Sequence, residues 1–320
     1  MIPPKLTVAK DSHFFIALCQ YKTHSFVNAG IILNKEVRLL ASFGKVSAIE
    51  PTCAYFIKTL FSQTKAHIRS EPLIGNGNID ATPVTYKAYE ISYRQYVEFL
   101  LYMKQIAKNQ QSPSLTAYCP SPDKAAITLV WQSLDCLEDA ENLNNNDQHQ
   151  HLNLITNSCR HSALTLLRQG TGLKHPGSGV SSFFFKQLPL TTTLETDAMG
   201  LDDSLYLLPL PPEAYAVPDS PLHNILQPLY LRLDNLTVSH QANPLTRQKF
   251  SAIKALYLSL TQSQPTSMAL LLERLTAWVK NNQTLIGSHR QSHWISFPTA
   301  TEKVFDALLK DVAAQTKIAF

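Results

Sequence analysis

The chain has 320 residues, 44% of them hydrophobic and 16% charged, with a formal net charge of +4. That length accommodates two domains with proper cores. No apolar run approaches the ~18 residues that span a bilayer, so a transmembrane segment is not expected. The start, Met1-Ile2-Pro3-Pro4-Lys5, lacks the basic-then-apolar order of a secretory signal peptide. Basic and acidic side chains number 13 and 7 in residues 1–110, 5 and 12 in 111–220, and 10 and 5 in 221–320. None of these segments holds a Lys/Arg cluster dense enough for a nucleic-acid surface. The five cysteines, Cys19, Cys53, Cys119, Cys136 and Cys159, are scattered and form no CxxC pair. This argues against a zinc ribbon and a disulfide scaffold, so reduced thiols are expected, with no metal and no cofactor.

In chain order, His13 to Gln20 reads as a buried strand and His24 to Leu33 as a second. Asn34-Lys35 is a two-residue turn, and Glu36 to Phe43 returns as a third strand, which makes a hairpin. Thr52 to Ser62 has helical spacing, Ile68 to Asp80 reads as loop, and Thr82 to Ile91 as an edge strand with Pro83 at its start. Ser92 opens an amphipathic helix with Gln95 at the capping-box position and a stripe of Tyr96, Phe99, Leu100, Met103 and Ile106. A polar insert runs from Gln110 to Asp123. Ala125 to Leu137 is an apolar segment read as a helix ending at Cys136, and Glu138 to Gln150 is an exposed loop. Beyond the proline-rich stretch Tyr206 to Pro212, helical patterns cover Ile225–Leu233, Pro244–Gln262, Thr266–Asn281 and Thr299–Ala314. A boundary near residue 215 separates an α+β module, residues 1–215 with an insert at about 110–150, from an α-helical region, residues 216–320.

One cysteine stands apart. The polar turn Thr156-Asn157-Ser158 delivers Cys159 to the start of a helix, along which Ala163, Leu166 and Leu167 recur at helical spacing and Gly170 is placed to cap the end. At a helix N-terminus, free backbone N–H groups and the helix dipole favour a thiolate, the reactive form of cysteine. The other four cysteines have no such setting and read as small packed hydrophobes.

A cysteine nucleophile needs a base, most often histidine. His161 lies two residues from Cys159, and residues i and i+2 of a helix point to different faces. His149 and His151 fall in the approach loop, His175 in a Gly/Pro loop, and His289 and His293 in the helical region. His24 opens a strand beside the predicted core and is the better partner. For a third, orienting residue, a turn at Asn34-Lys35 pairs positions that sum to 69, which sets His24 opposite Lys45 and Ser42 opposite Val27. Glu36 then lies too far from His24, and Ser42 or Asn28 is left, with Ser42 the working choice.

The run Thr23-His24-Ser25-Phe26-Val27 leading into a hairpin, the helix from Ser92-Tyr93-Arg94-Gln95, and Leu152-Asn153-Leu154-Ile155-Thr156-Asn157-Ser158-Cys159 together resemble the circularly permuted NlpC/P60 superfamily of papain-like cysteine enzymes. In that family the histidine strand precedes the cysteine helix. Members include lecithin:retinol-acyltransferase-like enzymes, PPPDE peptidases, and bacterial amidases and peptidases. Ser158 stands where a second Asn is common, and the insert between the two helices is long. The resemblance covers roughly residues 10–190. It implies a papain-like antiparallel sheet with packed helices, Cys159 as nucleophile, His24 as base, and a peptide, isopeptide or acyl substrate. The Asn/Gln-rich composition, the proline strap and the helical tail resemble effectors exported by intracellular bacteria such as Legionella. That likeness implies synthesis in a bacterial cytoplasm, passage to a host cytosol and a host protein as partner. The competing expectation is a binding effector that keeps the fold without catalysis.

Overall fold

The computed structural model describes residues 5–9, 12–33, 36–49, 52–71, 82–110, 114–121, 127–138, 147–195, 200–201, 205–238, 241–262, 267–290 and 297–318. They form a mixed α+β protein in two compact units, Met1–Leu207 and Leu208–Phe320. The dividing point lies eight residues before the expected one near 215.

In the first unit the strands are β1 (Lys5–Val8), β2 (His13–Tyr21), β3 (His24–Leu33), β4 (Glu36–Ser47), β5 (Thr64–Ser70), β6 (Thr82–Ile91), β7 (Thr116–Pro120), β8 (Ile127–Ser133), β9 (His151–Leu152), β10 (Leu190–Glu195) and β11 (Gly200–Leu201). The helices are α1 (Cys53–Phe61), α2 (Tyr93–Gln110) and α3 (Cys159–Thr171). The principal sheet runs β11-β10-β6-β2-β3-β4-β5-β9, with antiparallel neighbours throughout. A small sheet β1-β8-β7 accompanies it. The central strands β2, β3 and β4 are almost continuously buried. α3 lies on one face of the sheet. Its Gly170 is so close to β2 that a Cβ there would stand 2.5 Å from Ile16 Cδ1, with Phe99 of α2 beside it.

Local sequence signals account for many of these boundaries. Thr52 caps α1 by accepting from Tyr55 N. Ser92 and Gln95 form a reciprocal box, with Gln95 Oε1 accepting from Ser92 N–H at 2.9 Å and Ser92 Oγ accepting from Gln95 N–H at 3.2 Å. The helix from Cys159 outruns Gly170 and ends on Gly172, whose φ of 71° places it in the left-handed region that glycine adopts at no steric cost. Gly172→Ala meets no neighbour there, so its expected cost is purely conformational, about 1 kcal/mol, read as a lowered midpoint in urea.

Other expectations are corrected. β6 is not an edge strand, because β2 and β10 flank it. The described part of the expected helix Ala125–Leu137, residues 127–137, is not an α-helix. Ile127–Ser133 pairs with β1 and β7 as a strand, and only Leu134–Cys136 turns, as a single 3₁₀ segment. Ile68 to Ser70 belongs to β5 rather than to a loop, while 72–81 lies outside the described residues, as do the turn at 34–35, residues 139–146 and His293. The hairpin register holds at a sum of 69 from Leu33↔Glu36 to Gly30↔Leu39, then a bulge moves it to Ala29↔Ala41. Ser42 therefore faces Asn28, not Val27.

The second unit consists of α4 (Pro221–Val238), α5 (Pro244–Gln262), α6 (Met268–Asn281), α7 (Gln283–Gly287) and α8 (Ala300–Ile318). α4 packs on α5 and α8, and α6 packs on α8 through Trp278 stacked on Phe305 at 4.6 Å. Among the described residues no helix is long and apolar enough to cross a membrane.

Candidate active site

The entry to Cys159 is built from its own polar side chains. Asn153 Oδ1 accepts from the N–H groups of Ile155 and Thr156 and from Thr156 Oγ1, at 2.9–3.0 Å, which closes a tight Asx-type turn. Asn157 donates from Nδ2 to the carbonyls of Gln148 and His151. Lys45 Nζ, from β4, donates to Asn157 Oδ1 at 2.8 Å, to Asn157 O at 3.0 Å and to Gln148 O at 2.9 Å. His161 serves this turn too. Its Nδ1 accepts from Ser158 N–H at 3.3 Å and stands 3.0 Å from Ser158 Oγ, so it caps the helix and does not face the thiol. His149 is also structural, buried between Ser162 Oγ at 2.7 Å and Tyr102 Oη at 3.4 Å.

This turn places Cys159 Sγ against the start of β3. The Ser25 N–H donates to Sγ at 3.4 Å, and the Thr23 carbonyl lies 3.6 Å away to accept from the thiol form. Cys159 and His24 line the same cleft, close enough for each to shift the other's titration. His24 Nε2 is held at 2.7 Å by Glu71 Oε1. The Glu71 side chain is 5% exposed and that of His24 32%, so the carboxylate lies behind the ring and the ring borders solvent.

Sequence reasoning placed the third residue wrongly. Ser42 is buried, and neither its hydroxyl nor the Asn28 amide has a hydrogen-bond partner among the described residues. What Ser42 contributes is its backbone carbonyl, which accepts from Glu71 N–H at 2.9 Å and so anchors the residue that does orient His24. Glu71 follows directly on β5, two strands away from His24 with β4 between them. The carboxylate reaches the imidazole over Gly44, where a Cβ would stand 1.8 Å from Glu71 Oε1 and 2.9 Å from His24 Nε2. A signal for β5 existed in Thr64, Ala66 and Ile68 alternating with Lys65, His67 and Arg69.

The electrostatics favour an ion pair. Burial alone would push His24 down, but its hydrogen bonds to Cys159 and Glu71 and the charges of both outweigh it and raise His24 to about 10. Burial alone would push Cys159 up. The hydrogen bond and charge of His24, the Ser25 N–H and the Arg160 guanidinium prevail and hold the thiol below its ordinary value. Arg160 is itself fully buried, bonded to Ser25 Oγ at 2.8 Å, to the carbonyls of Ser181 and Lys186, and to Gln20 Oε1.

Cys159 and His24 line an open cleft of about 580 Å³. Val46, Ala48, Ile49, Phe56, Leu152, Leu154 and Phe184 give it an apolar wall, Lys45 and Arg69 are its cations, and among the described residues no carboxylate lines it. No protein-family model matches the chain, and neither a curated protein nor a solved structure is significantly similar to it.

Proposed function

We propose that the protein is a cysteine-dependent hydrolase or acyl transferase of papain-like type, with the strand-before-helix order of the permuted NlpC/P60 superfamily. The observation that carries this reading is the placement of Cys159 and His24 on one solvent-reachable cleft, with the ring held from behind by the buried Glu71 carboxylate. The thiolate of Cys159 attacks an amide or ester carbonyl carbon. The developing oxyanion is met by backbone N–H groups at the start of α3, where the helix leaves donors free. As the C–N or C–O bond breaks, His24 gives its proton to the departing amine or alcohol. His24 then takes a proton from water, or from an acceptor hydroxyl or amine, whose oxygen or nitrogen attacks the thioester and releases Cys159. Glu71 fixes the ring and stabilises its charged form throughout, as the third member of such a triad does.

The lining favours an apolar acyl portion. Along the wall, β4 is paired on its β5 side, Val46 with His67, Ser47 with Ala66 and Ala48 N–H with the Lys65 carbonyl. The test is labelling with a panel of thiol-directed acylating probes carrying short, long-chain and peptidyl acyl groups. Wild type is expected to label at Cys159, fastest with the long-chain probe, and Cys159→Ala to lose the label. Equal labelling of Cys159→Ala and wild type sinks the reading. Wild type that stays unlabelled, while its exposed Cys53 and Cys136 react, favours a binding role instead.

A further inference from the structure

Lys45 is 2% exposed, and its ammonium donates to three oxygens, all neutral. Among the described residues no carboxylate pairs with it. The titratable groups whose charge bears on it are Cys159 and His161 on α3 and His149 in the turn before β9. Both histidines are held low by burial, His149 to about 3, and are neutral at ordinary pH. A buried cation ordinarily needs a counter-charge as well as hydrogen bonds. The one anion this arrangement offers it is the thiolate of Cys159.

We infer that Lys45 is a positioning residue for Cys159: it ties β4 to the Asn157 turn two residues before the sulfur, and its charge stabilises the thiolate across that turn. The inference rests on Cys159 being the nucleophile. Burial lowers Lys45 to about 7 and the charge of Cys159 acts against that fall. An electrostatic coupling is mutual, so the ammonium favours the thiolate as much as the thiolate favours the ammonium. Through this coupling Lys45 adds to the Ser25 N–H and the Arg160 guanidinium, which hold the thiol down apart from His24.

The test follows the rate of Cys159 alkylation by iodoacetamide against pH, read by mass spectrometry of the Cys159 peptide. Lys45→Met keeps length and removes charge; Lys45→Arg keeps charge. In Lys45→Met the midpoint is expected to rise by about one pH unit, roughly a tenfold loss of rate on the acid side. Lys45→Arg is expected to recover most of that shift. An unmoved midpoint in a folded Lys45→Met protein overturns the inference, and so does an equal shift in Lys45→Arg. A measurement on the wild-type side chains covers the case where neither variant folds. With Cys159 carried to its neutral carbamidomethyl adduct, the NMR titration of the Lys45 Cε resonance is expected to fall below that in the anionic carboxymethyl adduct. Coincident titrations count against the coupling. If wild-type Cys159 shows no enhanced reactivity at acid pH, the nucleophile reading itself fails, which is a different result from either of these.

Discussion

Replacing His24 by alanine is expected to reduce turnover by roughly 10²–10⁴-fold, the usual contribution of a positioned acid–base group, and to change the shape of the pH profile. In the wild type the active state pairs thiolate with imidazolium. The acid limb follows Cys159, held below its ordinary value mainly by His24 against the effect of burial. As pH falls through that value the sulfur gains a proton and attack stops. The alkaline limb follows His24, at about 10. As pH rises through it, the ring loses the proton that the leaving group needs. His24→Ala removes the alkaline limb and moves the acid limb up toward the ordinary thiol range of about 8.5. Glu71→Gln keeps the hydrogen bond and deletes the charge, so the alkaline limb is expected to move down with the ring still in place. Rates of substrate cleavage and of iodoacetamide alkylation across the pH range measure both limbs. A profile unchanged in Glu71→Gln would remove the carboxylate from the mechanism.

The second large effect is expected from a residue with no side chain. Gly44→Ala inserts a methyl where Glu71 Oε1 and His24 Nε2 already meet. One of them must leave, and the carboxylate is the group displaced, because the ring is also stacked on Phe26 at 5.7 Å. Turnover is expected to fall as far as in Glu71→Gln or further, with a stability loss of about 1–3 kcal/mol from overpacking. A double-mutant cycle makes this specific. In the Gly44→Ala background, Glu71→Gln is expected to have little additional effect on turnover, since the interaction it weakens is already gone. Additive losses in the cycle would show that Gly44 acts elsewhere.

The same position shows how a sequence reading goes astray by one residue. With a regular hairpin, Lys45 stands opposite His24 and Ser42 opposite Val27. The bulge between Gly30↔Leu39 and Ala29↔Ala41 adds a residue to β4 and turns every later side chain to the other face. Gly44 then shares a face with Phe26 and His24, and Lys45 turns toward the Cys159 turn. A bulge is a tertiary compromise in strand twist and leaves no local mark at Leu40. Glu71 escaped notice for a related reason. The strand it follows, β5, carries its alternation in only three inward residues, Thr64, Ala66 and Ile68, and only pairing with β4 places Glu71 beside His24.

What the sequence determined by itself is what depends on near neighbours. Strands β2, β3 and β4, the capped helix from Ser92, the helix from Pro244 to Gln262 and the helix opening on Cys159 all follow from side-chain period and caps within a few residues. So does the rejection of His161 as a base, which is a matter of helical angle. Only the tertiary structure decided which groups meet across the sheet: the thiol beside His24, the carboxylate of Glu71 passing over Gly44, and the ammonium of Lys45 under the Asn157 turn. Those contacts join residues 27 to 135 positions apart in the chain. They are fixed by strand register and by where β5 and α3 come to rest, for which the chain carries no short-range code.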